Sequence, residues 1–152
     1  MPDITVPPYP NDYLMPPIDH ATVGAAMHPG IFSCAPEASL VEVASTMTMH
    51  RVHCVAVMAV ARDGSGERRV WGIISDLDLL RAGIRGGAGM TAFALAQEPV
   101  ICVRDTTPLR EAGETMAAHG VSHLVVVNAE TQRPVGVPST LDVAAMLAWD
   151  DA

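Results

Sequence analysis

Two short stretches of this chain carry groups that could do chemistry. Gly72-Ile73-Ile74-Ser75 is followed by Asp78, and Gly136-Val137-Pro138-Ser139 is followed by Asp142. In each, an apolar strand-forming run ends in a serine, and an acid stands one helical turn further on. A strand that runs into a helix N-terminus presents unbonded backbone N–H groups and the positive end of the dipole, which suits an anion such as phosphate. The serine hydroxyl adds a donor. The acid can accept two hydrogen bonds from the vicinal hydroxyls of a ribose, the logic used in dinucleotide folds. The same spacing is close to a capping box, in which serine and acid satisfy the helix's own orphan N–H groups. One copy alone favours the cap. Two copies at matched positions, each preceded by glycine and an apolar strand, shift the balance towards a site.

The elements that position these stretches are themselves duplicated. Leu40, Val43, Ala44, Met47 and His50 recur as Leu109, Ala112, Gly113, Met116 and His119, an offset of 69 (109 − 40). Val52, Val55 and Val57 recur as Val121, Leu124 and Val126. At the Gly-x-x-Ser stretches the offset falls to 64 (136 − 72), so the second copy has the shorter loop. Two copies of a unit that cannot bury its apolar face alone must pack on each other, which leaves two related clefts at the seam.

Within each copy the pattern predicts the same order of elements. Thr22 to Met27 reads as a short lead-in helix and Ile31 to Ala35 as a short strand. Ser39 caps a helix running to about His50, with Leu40, Val43, Ala44 and Met47 on one face. Val52 to Val60 is nearly all apolar, as in a strand covered on both faces. A polar turn over residues 62–67 leads to a strand from Val70 to Ile74 and a helix after Ser75. In the second copy Thr91 to Ala96 is the lead-in and Val100 to Val103 the short strand. Thr107 is expected to cap a helix opening at Pro108 and ending near His119-Gly120. Val121 to Val127 and a strand begun by Val135 follow, then a helix from about Thr140 to Trp149. Trp71 and Trp149 could lie at a dimer interface, though core packing is the simpler reading. Residues 1–18 contain six prolines and form an extended arm, with Tyr9, Tyr13, Leu14 and Met15 available to dock on a neighbour.

Composition narrows the partners. A hydrophobic fraction of 49% in 152 residues is ample for a core, and with only 4% aromatics that core is aliphatic. The formal charge of −8 argues against nucleic acid as the main partner, because phosphate backbones require a concentrated cationic face. All nine basic residues are arginine. Cys34, Cys54 and Cys102 show no CxxC spacing and leave an odd one over, the habit of a reduced, cytoplasmic protein. No secretory signal is visible. No stretch approaches the roughly 20 apolar residues that span a bilayer, so no membrane partner is expected.

The doubled set resembles a tandem pair of cystathionine-β-synthase-type (CBS) domains, a Bateman module, from about Thr22 to Trp149. The residues that carry the likeness are Val23-Gly24 with Met27, Pro36 with Leu40, the run Val52 to Val57, and Gly72-Ile73-Ile74-Ser75 with Asp78. Their partners are Leu109, the run Val121 to Val127, and Gly136-Val137 with Ser139 and Asp142. The resemblance implies an α/β fold, with two βαββα-like repeats related by a pseudo-twofold axis and packed through their sheets. Residues 19–85 form the first repeat, 86–90 a linker and 91–150 the second. It implies a regulatory module that holds an adenosine-containing ligand, AMP, ADP, ATP or S-adenosylmethionine, between the repeats and signals to a partner protein. It also implies a disc-like homodimer.

Carried onto this chain, the resemblance assigns one cleft to Ser139 and Asp142, with Val137 beneath the base. Met27, Phe32, Val52, His53 and Cys54 wall its adenine, and Ser122 and His123 lie near its phosphates. The mirror cleft takes Ile73, Ser75 and Asp78, with Ala96, Ile101, Val121, Ser122 and His123 as walls and His53 and Cys54 near the phosphates. No Arg or Lys falls at a phosphate-facing position assigned this way, which favours AMP or another weakly charged adenosyl ligand. Pro138 removes a backbone donor inside the last strand and sets the Asp142 cleft apart. One alternative is a degenerate pair that binds no nucleotide and acts as a dimerising interaction module.

His50, His53, Cys54, His119 and His123 raise a lesser alternative, a metal or redox sensor. His50 and His119 fall at helix C-termini, where the dipole favours a histidine without any metal. The spacing lacks CxxC or a same-face histidine pair, so no metal site is expected. Met47 and Met116 read as core fillers. No catalytic set or GxxxxGK phosphate loop is present, and the repeats nearly fill the chain, so an enzyme is not expected.

Overall fold

The computed structural model describes residues 20–87, 89–96 and 100–150; the proline-rich arm lies outside these, as does the side chain of Trp149. The first copy runs α1 (Val23–Ala26), β1 (Ser33–Cys34), α2 (Leu40–His50), β2 (Cys54–Val60), β3 (Arg68–Ser75), α3 (Asp76–Ile84). The second runs α4 (Ala92–Leu95), β4 (Cys102–Arg104), α5 (Leu109–His119), β5 (Val125–Val127), β6 (Pro134–Gly136), α6 (Thr140–Asp150). Each copy builds a three-stranded sheet, β1-β2-β3 and β4-β5-β6. In both, the first pair is parallel and the second antiparallel. The architecture is the α/β pair of repeats expected.

Local chemistry explains the helix limits. Ser39 and Glu42 close a full capping box at the start of α2: the Glu42 N–H donates to Ser39 Oγ at 3.2 Å, and the Ser39 N–H donates to Glu42 Oε2 at 2.6 Å. Val43 and Met47, one turn apart, form its buried face. Both long copies of this helix stop in the left-handed region, α2 at Arg51 (φ 53°) and α5 at Gly120 (φ 62°). Glycine occupies that region freely, whereas arginine is strained there.

Two expectations need correction in the second copy. Thr107 does not cap α5; Pro108 takes the N-cap position and makes no side-chain cap bond. The Thr107 carbonyl instead accepts the Val23 N–H at 2.8 Å, which ties this turn to the other copy. The strand expected over Val121–Val127 shrinks to Val125–Val127. Its partner β6 reaches only Gly136, because Pro138 has no N–H with which to extend the ladder. Pairing resumes as an isolated bridge between His123 and Ser139.

The lead-in helices are exchanged between the copies. α1 belongs to the first copy by sequence, yet Ala21 and Val23 sit in the buried cluster of Leu109, Ala112, Met116, Leu124 and Val126. Gly24 approaches so closely that a Cβ there would lie 2.7 Å from the Asp105 carbonyl oxygen, which accepts the Gly24 N–H at 3.0 Å. Reciprocally, Ala92 and Leu95 of α4 complete the cluster of Val43, Met47, Val55, Val57 and Ile74. The Ala92 and Phe93 N–H groups donate to the Ala38 and Pro36 carbonyls. Trp71 packs against that cluster and stacks on Phe93, ring centroids 4.9 Å apart. Fully burying a valine is worth roughly 1.5–3 kcal/mol. Val23, fully buried, therefore anchors a helix too short to stand alone.

Candidate functional site

The sheets end where the two Ser-x-x-Asp stretches meet the opposite copy. Cys54 pairs with Ser75 at the end of the β2–β3 ladder, and the Asp76 N–H donates to the His53 carbonyl at 2.9 Å. The second copy repeats this with His123 opposite Ser139 and the Thr140 N–H donating to the Ser122 carbonyl at 2.9 Å. The starts of α3 and α6 are thus pinned to the starts of the inner strands, and both serines come to the seam.

The capping box expected at Ser75 is realised in full. The Asp78 N–H donates to Ser75 Oγ at 3.2 Å. Asp78 Oδ2 accepts the Ser75 N–H at 2.9 Å and the Ser75 hydroxyl at 2.8 Å. Both bonds to the carboxylate fall on Oδ2. Among the described residues none falls on Oδ1, so the cap leaves one oxygen of Asp78 available to a ligand. Cap and site are therefore compatible.

That carboxylate belongs to a cleft of about 400 Å³ between the copies. One side is Ile73, Ser75, Asp78 and Arg81; the other is Val100, Ile101, His119, Gly120, Val121, Ser122 and His123. The structure thus brings together Ile73, Ser75 and Asp78 with Ile101, Val121, Ser122 and His123. Ala96 does not join them, because α4 carries it onto the first copy's core. Arg81, Val100, His119 and Gly120 are additions. Arg81 puts a fixed cation on the lining that the assigned positions do not include, and its spacing carries the signal: it stands three residues after Asp78, on the same helical face.

Asp142 sits differently. Its Oδ2 accepts the Ser139 N–H at 2.7 Å and the Ser139 hydroxyl at 3.3 Å. Its Oδ1 faces His28, whose Nδ1 is 3.8 Å away. Met27 packs onto β6 beside Val137: a Cβ at Gly136 would lie 2.5 Å from its sulfur, so a larger residue there would have to displace the methionine. Phe32 stacks on His50 at 4.3 Å, and Val52 is half-buried behind α2, its N–H bonded to the Met47 carbonyl.

Acids and histidines gather around His123. His53 Nδ1 lies 2.8 Å from Asp76 Oδ2, which holds the Asp76 carboxyl below its ordinary range. Burial pulls the His123 imidazole down, against the opposing pull of Asp76, Asp142 and Asp78. Burial, then the Asp76 and Asp142 charges, push the Cys54 thiol up to about 11, far from the thiolate that redox exchange requires. Among the described residues no three His, Cys, Asp or Glu side chains converge as a metal site would require.

A larger cavity, about 670 Å³, lies at the far end of the β2–β3 hairpin beside Trp71, Phe93 and the Asp63–Arg69 ion pair. Size alone favours it. Its acids, Glu37 and Asp63, belong to no Ser-x-x-Asp turn, and the helix that starts at its wall, α4, is only four residues long. No described helix is long and apolar enough to cross a membrane.

Two three-stranded sheets joined by exchanged lead-in helices, with a Ser-x-x-Asp turn from each at the seam, define a paired-repeat α/β architecture. The family model for the CBS domain matches residues 23–85 and 92–144, and the chain belongs to that family. Similar solved structures include a CBS domain protein from Pyrobaculum aerophilum complexed with AMP, 28% identical, covering 86% of this chain and 98% of that one with a TM-score of 0.70. A CBS domain pair in complex with 5′-methylthioadenosine and S-adenosyl-L-methionine is 19% identical, over 85% and 97% of the two chains, with a TM-score of 0.71. The CBS domain of a bacterial CNNM/CorC family Mg2+ transporter in complex with ATP is 19% identical, over 86% and 89%, with a TM-score of 0.70. No curated protein matches in sequence.

Proposed function

We propose that this chain is a regulatory module, not an enzyme, that senses an AMP-like adenosyl ligand in the Asp78 cleft and signals its occupancy to a partner protein. The observation that carries this reading is the unshared Oδ1 of Asp78, presented beside a helix N-terminus in a cleft walled by the opposite copy. Ile73, Val100, Ile101 and Val121 supply apolar surface for a base. Ser75 and the start of α3 supply donors, and Asp78 accepts from the ribose. The AMP complex of the 28% identical protein supports the ligand class. The module works as a homodimer: Leu77, Leu80 and Ile84 expose one face of α3, and Leu141 and Leu147 are exposed on α6, a surface suited to a second copy.

The test is a thermal-shift panel with AMP, ADP, ATP, S-adenosylmethionine and NADH, run beside sedimentation of the unliganded chain. A ligand at about 100 times its dissociation constant adds roughly 2.7 kcal/mol, several degrees in melting temperature. A shift with an adenosyl ligand that disappears in Asp78→Asn supports the sensor. A stable dimer with no shift replaces it with an interaction module that binds no nucleotide.

A further inference from the structure

We propose that Arg81 is the phosphate-recognising residue of the Asp78 cleft. This rests on the adenosyl reading above and adds which group is read and in which cleft.

Arg81 lies one turn beyond Asp78 on α3, and both line the cleft. Its guanidinium forms no ion pair among the described residues, so its charge is not already matched by a carboxylate. The other nitrogen bases on the lining are poor substitutes. His119 Nδ1 faces the Thr115 carbonyl at 2.9 Å, and a carbonyl can only accept. That bond ties the Nδ1–H edge of the ring to the carbonyl of its own helix. Desolvation keeps His123 neutral at ordinary pH, with Nδ1 3.0 Å from the Ser122 hydroxyl. Asp78 itself opposes an anion. Arg81 is the permanent positive charge that offsets it, and its planar fork suits phosphate oxygens.

The second copy acts as an internal comparison. The position matching Arg81 at the offset of 64 is Ala145 (145 − 81). The carboxylate oxygen that is free in Asp78 is faced in Asp142 by His28, and Met27 closes over Gly136. A hydrogen-bonded charge of this kind discriminates by about tenfold to hundredfold. AMP should therefore bind more tightly than adenosine by that factor in this cleft.

Calorimetric titration of the full chain with AMP and with adenosine, at one ionic strength, tests this. Arg81 is exposed, so Arg81→Gln should fold normally, which its melting curve checks. Arg81→Gln is expected to bring AMP affinity down to that of adenosine and to leave adenosine unchanged. If Arg81→Gln keeps the AMP preference, the assignment is overturned while the sensor reading stands. If the native chain binds neither AMP nor adenosine, the sensor reading fails and this assignment fails with it.

Discussion

Asp78→Asn separates the two roles that Ser-x-x-Asp can play. In the native chain Asp78 Oδ2 accepts from the Ser75 N–H at 2.9 Å and the Ser75 hydroxyl at 2.8 Å. An asparagine whose amide oxygen takes the Oδ2 position keeps both bonds. Its NH2 then replaces Oδ1, and an amide nitrogen cannot accept a hydrogen bond from a ribose hydroxyl. Folding loses only the charge near the start of α3, about 0.3–1 kcal/mol. For a chain of this length that is roughly 1–4 °C in melting temperature. Asp78→Ala removes the cap as well, at about 1 kcal/mol more. Binding responds on a larger scale, since a hydrogen bond to a charged acceptor is worth about 1.5–3 kcal/mol. Adenosine affinity should therefore fall at least about tenfold in Asp78→Asn. Calorimetric titration and thermal melts on the same samples give both numbers. If the Asn variant binds adenosine as the native chain does, Asp78 is a helix cap and nothing more. If it melts as low as Asp78→Ala, the division of labour between the two oxygens is wrong.

Other consequences follow from the fold. Arg51→Gly relieves a left-handed arginine at the end of α2; the relief of about 1–2 kcal/mol, less glycine's extra unfolded-state entropy, should raise stability by about 0.5–1 kcal/mol. Gly120→Ala, at the matched position of α5, should lower it by a similar amount in urea titrations. Val23→Ala removes two methyl groups from the second copy's core at about 2–3 kcal/mol. Hydrogen exchange should then quicken at Val125 and Val126 before Val55 and Val57; the opposite order would place α1 with its own copy. Because burial lowers the folded pKa of His123, the unfolded chain takes up a proton at higher pH than the folded one. Stability should therefore fall as pH drops from about 6.5 through that lowered value. A His123→Gln variant should lose this part of the slope in denaturation series; an unchanged slope would mean His123 does not contribute.

Periodicity and capping signals made most of the fold legible, because they are local. Ser39 with Glu42 and Ser75 with Asp78 close the boxes that their spacing implies. The run Val55-Ala56-Val57 is buried as an apolar stretch should be. The failures were non-local. The carbonyl of Thr107 is engaged by α1, more than eighty positions away in sequence, and no window around Thr107 contains that partner. Pro138 was recognised as a missing donor, but how far it would shorten β5 depended on the register with β6. In the cleft, Ala96 and Arg81 failed for opposite reasons. Ala96 follows a helix whose destination is set by core packing across the seam. Arg81 was overlooked although its spacing from Asp78 is local and its face follows from helix geometry.

The duplication itself shows which differences between the clefts the fold requires. Ile74 and Pro138 occupy matched positions and both are fully buried, so each fills the same core volume. The exchange costs the second copy a ladder bond and shortens β5, a structural difference with a structural cause. Arg81 and Ala145 also match, but both are exposed. Neither packing nor backbone geometry distinguishes arginine from alanine at such a position, since both are good helix formers. The same holds for the unshared Oδ1 of Asp78, which the cap does not use. The Asp78 cleft thus carries a cation and an open acceptor that the scaffold does not need. At the matched positions the second copy has Ala145 and an acid faced by His28. A scaffold that needs neither group leaves both free for the ligand recognition proposed for the Asp78 cleft.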